Sequence, residues 1–280
     1  MNLILQGLHP ERAVIERLAA LADAQSVTQI NTQAWRCDAV TDSVPTRALI
    51  DAACQHAQLD GCFIEAGKQL SDYKLLVMDM DSTLITIECI DEIADMQGLK
   101  PQVAAITEAA MRGDIAFRDS LIQRVALLQG LHASALEQVF DERLTLSPGA
   151  LTLLEGVKAA GLKTVLVSGG FSFFTDRLKQ QLGLDVARAN LLEIQDGKLT
   201  GRVLGEIIDE QAKRRTVESE SAALCVPPSA AIVMGDGAND LPMMSVAGLS
   251  VAYKAKPVVR AQADVALNFV GLDGVLNLFR

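Results

Sequence analysis

The spacing of apolar and polar positions divides the chain into a short N-terminal pattern and a longer one. Residues 2 to 65 read as an apolar strand at Asn2 to Gln6 and a helix from about Glu11 to Ala24. Extended stretches follow near Val27 to Ile30 and Ala34 to Val40, then a helix near Thr46 to Ala57 and a strand at Cys62 to Glu65. The order β-α-β-β-α-β predicts a small ferredoxin-like α+β module, a common ligand-binding or dimerising unit. The polar stretch Gly67 to Lys74 reads as a linker.

Beyond it, short runs with few polar positions predict strands buried on both faces, as in a parallel sheet. Leu75 to Met78, Thr164 to Val167 and Ala230 to Met234 are three such runs, and Leu249 to Ala252 and Val265 to Leu267 begin further strand–helix units. Between the first two, Thr86 to Gly98 reads as a helix. Pro101 to Arg143 is helical in pattern, with apolar faces Val103-Ile106-Ala110 and Leu121-Val125-Leu128 and breaks near Gly113 and Gly130. Pro148 opens a helix that stops at Gly161, and another runs from about Ser172 to Leu182. Ala187 to Asp209 is extended around an Asp196-Gly197 hairpin turn, and Lys213 lies early in a helix capped by Asp209. The whole predicts a Rossmann-like doubly wound parallel sheet (71–88 and 147–280) carrying a helical cap (89–146), preceded by the N-terminal α+β module (1–70).

Composition narrows the partners. A net charge of -10 offers no basic footprint for nucleic acid or an anionic membrane surface. The first residues lack the form of an export signal, and no apolar run approaches bilayer-spanning length, so the expected compartment is the cytoplasm. Cys37, Cys54, Cys62, Cys89 and Cys225 have neither metal-ligand nor redox-pair spacing, and reduced thiols are expected. His9, His56 and His132 show no partner pattern.

The three strands end alike, in small residues and polar groups: Asp79-Met80-Asp81, Ser168-Gly169-Gly170, and Gly235-Asp236-Gly237-Ala238-Asn239-Asp240. Acids one residue apart repel, and a strand end that holds both is matched either to a cation or to chemistry that uses them differently. On the segment alone, a solvated turn stays equally open. If the strands are neighbours, Asp79, Asp81, Ser168, Gly169, Asp236, Asn239 and Asp240 converge beyond their carboxyl ends. A carboxylate cluster without His or Cys suits Mg²⁺ together with phosphate oxygens. The Gly169 N–H, the Ser168 hydroxyl and the Lys213 ammonium supply phosphate donors.

Asp79-x-Asp81-x-Thr83, Ser168, Lys213 and Gly235-Asp236-Gly237-x-Asn239-Asp240, in that order after their strands, resemble the motifs of the haloacid dehalogenase-like phosphatases. With Ser82, Glu88, Phe117, Arg124 and Val167 to Phe171 included, the chain from about Lys74 to Arg280 is similar to the phosphoserine phosphatases among them. The resemblance implies hydrolysis of O-phospho-L-serine, with Asp79 as nucleophile and Asp81 as general acid and then base. It implies Mg²⁺ held by Asp79, Asp236 and the Asp81 backbone carbonyl, with Asp240 supporting that shell. Lys213, Ser168 and Gly169 would bind phosphate oxygens, Asn239 the substrate, Glu88 its ammonium and Arg124 its carboxylate, under a cap that closes as a lid. The N-terminal module lies outside the likeness, with a regulatory or dimerising role expected and a homodimer as one assembly. Two rivals stand beside this reading: a superfamily phosphatase for another small phosphomonoester, and an amino-acid sensor with an inactive phosphatase-like scaffold. Taken alone, Glu88, Arg124 and Lys213 read as solvated helix charges, and Met111, Phe117 and Phe171 as packing residues.

Overall fold

The computed structural model describes residues 1–111 and 114–280, without the Met111 side chain; the expected break near Gly113 and packing by Met111 lie outside the described residues. The N-terminal module contains β1 (Asn2–Gln6), α1 (Arg12–Leu21), β2 (Ser26–Gln29), β3 (Ala34–Asp38), α2 (Val44–Ala57) and β4 (Asp60–Ile64). Its strands lie in the order β2-β3-β1-β4, every pair antiparallel, which is the ferredoxin-like arrangement. Helix α1 stops short of Ala24 because Asp23 turns the chain at φ 53°. Helix α2 starts before Thr46 because the Ser43 hydroxyl accepts the Thr46 N–H and Pro45 suits the first turn.

Alternation along β1 explains why the module is not free-standing. Leu3 and Leu5 pack with Ile15, Leu18 and Ile50 under the two helices, whereas Ile4, with Cys62 and Ile64 of β4, joins the main core of the chain. Polar groups fix this face. The Asp60 carboxylate accepts the backbone N–H groups of Asn268 (2.8 Å), Phe269 (3.0 Å) and Val270 (3.1 Å). Asn277 donates to Gln6 (2.9 Å) and accepts from Asn31 (2.8 Å). Because Asp60 is buried, Asp60→Ala strands three N–H donors, and urea denaturation should register a loss of at least about 3 kcal/mol. An unchanged midpoint would show that the docked face does not depend on this carboxylate.

The rest of the chain runs β5 (Leu75–Met78), α3 (Cys89–Asp95), α4 (Lys100–Met111), α5 (Phe117–Ala126), α6 (Ser134–Gln138), α7 (Ala150–Ala159), β6 (Lys163–Phe171), α8 (Ser172–Leu182), β7 (Val186–Gln195) and β8 (Lys198–Leu204). It continues with α9 (Glu210–Ala223), β9 (Ala231–Gly235), α10 (Leu241–Met244), β10 (Leu249–Tyr253), α11 (Pro257–Arg260), β11 (Val265–Leu267) and α12 (Gly274–Asn277). The seven-stranded sheet has the order β11-β10-β9-β5-β6-β7-β8, parallel except for β8. The edge hairpin β7–β8 turns at Asp196 (φ 51°) and Gly197 (φ 74°), the paired positive angles of a tight hairpin. Among the described residues no helix is long and apolar enough to cross a membrane.

Two local differences from the sequence expectation matter for the site. Helix α3 begins at Cys89, because Ile85 bridges to Leu146 and the Thr86 N–H donates to the Thr145 carbonyl. The helices between β5 and β6 therefore leave and rejoin the sheet through a neck of two extended segments. The insert divides into α4, α5 and α6, and the break expected near Gly130 (φ 83°) falls between α5 and α6. Strand β6 does not stop at Val167 but runs through Ser168-Gly169-Gly170 to Phe171, with its pairing to β7 shifted in register there.

Candidate active site

Strand β5 lies between β6 and β9, and the register sets three chain ends at one level: Met78 pairs with both Leu166 and Met234. One or two residues further on come Asp79, Ser168 and Asp236. The Asp79 N–H still donates to the Met234 carbonyl (3.0 Å), after which the chain leaves the sheet in a tight turn over Met80–Leu84. Asp79, Asp81, Glu88, Arg124, Ser168, Gly169, Asp236 and Asn239 all line one cavity of ≈ 490 Å³. Lys213 and Asp240 lie beneath it, 1% and 0% exposed. All ten residues singled out from the sequence are thus in or directly under one pocket.

Lys213 reaches this floor because Asp209 caps α9, its carboxylate accepting the Ala212 N–H (2.8 Å), and so fixes the first turn. Its ammonium bridges Asp79 (2.8 Å) and Asp240 (2.7 Å). The second Asp240 oxygen accepts the N–H groups of Asp236 (3.2 Å) and Gly237 (3.0 Å). Asp240 is therefore fully engaged in holding the Asp236 loop. Carboxylate oxygens of Asp79, Asp236 and Asp240 lie within 4.8 Å of one another, a hard, all-oxygen donor set of the kind that holds a divalent cation. The Asp81 carboxylate stands outside that set and accepts the Cys89 N–H (3.2 Å).

Electrostatics agree with the geometry. Burial, then Asp240, hold the Asp79 carboxyl well above the usual range, with Lys213 opposing. Burial, Asp240 and Glu88 push Asp236 up to about 7. Burial also pulls on Lys213, but the two carboxylates against it win, and its pKa is raised, so it stays an ammonium. One fixed cation among three acids leaves surplus negative charge, which a divalent ion relieves. Asp81 is pushed up to about 7 by burial and then by Glu88. Near neutrality it is divided between the protonated and ionised forms, as a group that gives and then takes a proton requires.

Several contacts that no sequence pattern specifies hold these groups in place. Ser82, at φ 54°, donates its hydroxyl to Glu88 (2.7 Å) on the same outgoing segment, and Thr83 donates to Asp236 (3.3 Å). The buried Asn190 donates to the Gly169 (2.8 Å) and Gly170 (3.2 Å) carbonyls and accepts the Ile208 N–H (2.8 Å). It ties the C-terminal end of β6 to the segment that leads into α9. The Ser168 hydroxyl accepts the Gly170 N–H (2.8 Å), which leaves its own proton to donate. Gly170 admits no side chain: a Cβ there would lie 2.7 Å from an Asp81 carboxylate oxygen. Only the repeated Gly-Gly hinted at such a close approach.

The profile of the haloacid dehalogenase-like hydrolases matches residues 76–245, and that of a domain of unknown function matches residues 3–48. A phosphoserine phosphatase of Polaromonas sp. is 56% identical over 217 residues, 76% of this chain and 92% of that protein. The crystal structure of a haloacid dehalogenase family hydrolase from Salmonella enterica serovar Typhi superposes with a TM-score of 0.91 at 32% identity, covering 100% of this chain and 99% of the other. A structure described as a phospho-aspartyl intermediate analogue of phosphoserine phosphatase superposes with a TM-score of 0.70 at 38% identity, covering 76% of this chain and 100% of that one. Motif order, the acid cluster around one lysine and these matches agree: the chain belongs to the phosphoserine phosphatases of the haloacid dehalogenase-like hydrolases.

Proposed function

We propose that the protein hydrolyses O-phospho-L-serine to L-serine and inorganic phosphate through an aspartyl-phosphate, the last step of serine synthesis. One observation carries this reading: Asp79, salt-bridged to Lys213, opens into the same cavity as Glu88 and Arg124. An Asp79 oxygen attacks phosphorus, and as the P–O ester bond breaks the serine oxygen takes the Asp81 proton. Asp81, now ionised, removes a proton from water, whose oxygen attacks phosphorus and releases Asp79. Lys213, the Ser168 hydroxyl and the Gly169 N–H hold the phosphoryl oxygens through both displacements. Asn239 binds the substrate, Glu88 faces its ammonium and Arg124 its carboxylate, each charge met by its opposite. Mg²⁺ would be held by Asp79, Asp236 and the Asp81 carbonyl, and when bound would supply charge neutralisation at the phosphoryl group. The cap, residues 89–146 in this reading, excludes water while the serine departs. Free thiols at all five cysteines suit a cytoplasmic site of action.

Hydrolysis of L-phosphoserine measured against a panel of sugar and alcohol phosphates tests the assignment. A strong preference for phosphoserine is expected. No preference would favour the broader phosphatase, and no turnover with Mg²⁺ would favour a scaffold. Cation binding gives an independent check with its sign fixed. A cation displaces the proton from Asp236, whose carboxyl is pushed up to about 7 without it. Calorimetric titration with Mg²⁺ should therefore show affinity rising by at least about tenfold per pH unit below about pH 7. Affinity that does not vary with pH over that range would remove Asp236 from the cation site.

A further inference from the structure

Resting on that reading of the site, we infer that the Ser120 hydroxyl is a further specificity-determining group, which donates to the substrate carboxylate beside Arg124. Ser120 lies three residues after Phe117 and four before Arg124 in α5, a spacing that puts the three side chains on one helix face. All three line the cavity. Ser120 is 1% exposed, and among the described residues its Oγ has no hydrogen-bond partner.

A hydroxyl inside a helix ordinarily bonds the carbonyl one turn back. Thr107 does so with Val103 (3.1 Å), and Thr216 with Ala212 (2.9 Å). Ser120 does not, and its neighbours along α5 on the cavity wall, Phe117 and Leu121, offer no side-chain acceptor. A buried hydroxyl without a partner is destabilising, and an acceptor brought by a ligand relieves it. Arg124 decides which acceptor. Its Nε donates to the Ser120 carbonyl (3.4 Å), drawing the guanidinium back along the helix and leaving its terminal nitrogens for a ligand. A carboxylate gripped by those nitrogens keeps lone pairs for a hydroxyl donor. The ligand's ammonium, in contrast, needs an acceptor, which Glu88 provides.

The test compares L-phosphoserine with O-phosphoethanolamine, which keeps the phosphate and ammonium but lacks the carboxylate. In Ser120→Ala, KM for phosphoserine should rise about tenfold with kcat nearly unchanged, while kcat/KM for phosphoethanolamine stays at the wild-type value. Ser120→Thr, which keeps the hydroxyl, should retain the discrimination. The thermal midpoint of ligand-free Ser120→Ala should equal or exceed that of the wild type, since the lost hydroxyl has no partner. Equal losses on both substrates, or no loss on phosphoserine, would overturn the inference. A wild-type protein that fails to prefer phosphoserine over phosphoethanolamine would overturn the functional reading, and this inference with it, by a separate result.

Discussion

Asp79→Asn is expected to lower turnover of phosphoserine by at least about 10⁴-fold while leaving the fold intact, which corresponds to about 5.5 kcal/mol of lost transition-state stabilisation. The amide fills the same space but is no nucleophile, so no covalent phosphoenzyme should be trapped from the variant by acid quenching. Stability should move the other way. Asp79 shares the Lys213 ammonium with Asp240, and its own carboxyl is held high by burial and by that neighbour. Removing one of two anions around a single cation relieves repulsion. The thermal midpoint in the absence of Mg²⁺ should be unchanged or higher. Normal turnover in this variant would exclude the covalent route through Asp79.

Lys213→Met should fail in both respects. The side chain is buried and bridges two carboxylates. A methionine of similar length leaves both buried acids without their cation, at about 3–5 kcal/mol. For a chain of this size that is a fall in thermal midpoint on the order of 10 °C. Loss of one fixed cation from the phosphoryl site should also lower kcat by about 10²–10³-fold. Without Lys213 the Asp79 carboxyl rises further, so less of it is ionised at a given pH. Activity that remains should therefore increase with pH more steeply than in the wild type. A variant with wild-type stability and rate would place Lys213 outside the machinery.

Much of this arrangement was legible along the chain because each chemical group follows an apolar run. Leu75 to Met78 signals a buried strand, and Asp79 and Asp81 lie where such a strand must end. Asp196-Gly197 named its own turn, and Asp209 named the start of α9, since both depend on local chemistry. Contacts that depend on three-dimensional register were not legible. Asn190 sits within β7, whose pattern says nothing about the end of β6 some 20 residues earlier, yet it holds that end by two carbonyls. Ser82 takes a backbone angle that serine rarely adopts, and nothing in its neighbours announces this. The boundary of β6 was misplaced because Ser168-Gly169-Gly170 has the composition of a turn, while pairing with β7 resumes at Phe171. The start of α3 was misplaced because Thr86 pairs with Thr145, far along the sequence. Neighbouring strands, by contrast, can be expected only from the fold class, and the placement of β5 between β6 and β9 is what brings the acids together.

The paired neck has a bearing on how such an enzyme changes its diet. Where Ile85 meets Leu146, the polypeptide departs and returns at adjacent points, so the closure requirement on whatever lies between is already met. A segment of other length or sequence can be grafted there without cutting the sheet that holds Asp79, Lys213 and Asp236. Recognition of the organic half of a phosphomonoester and cleavage of its phosphate are thereby separable inheritances, free to diverge at different speeds.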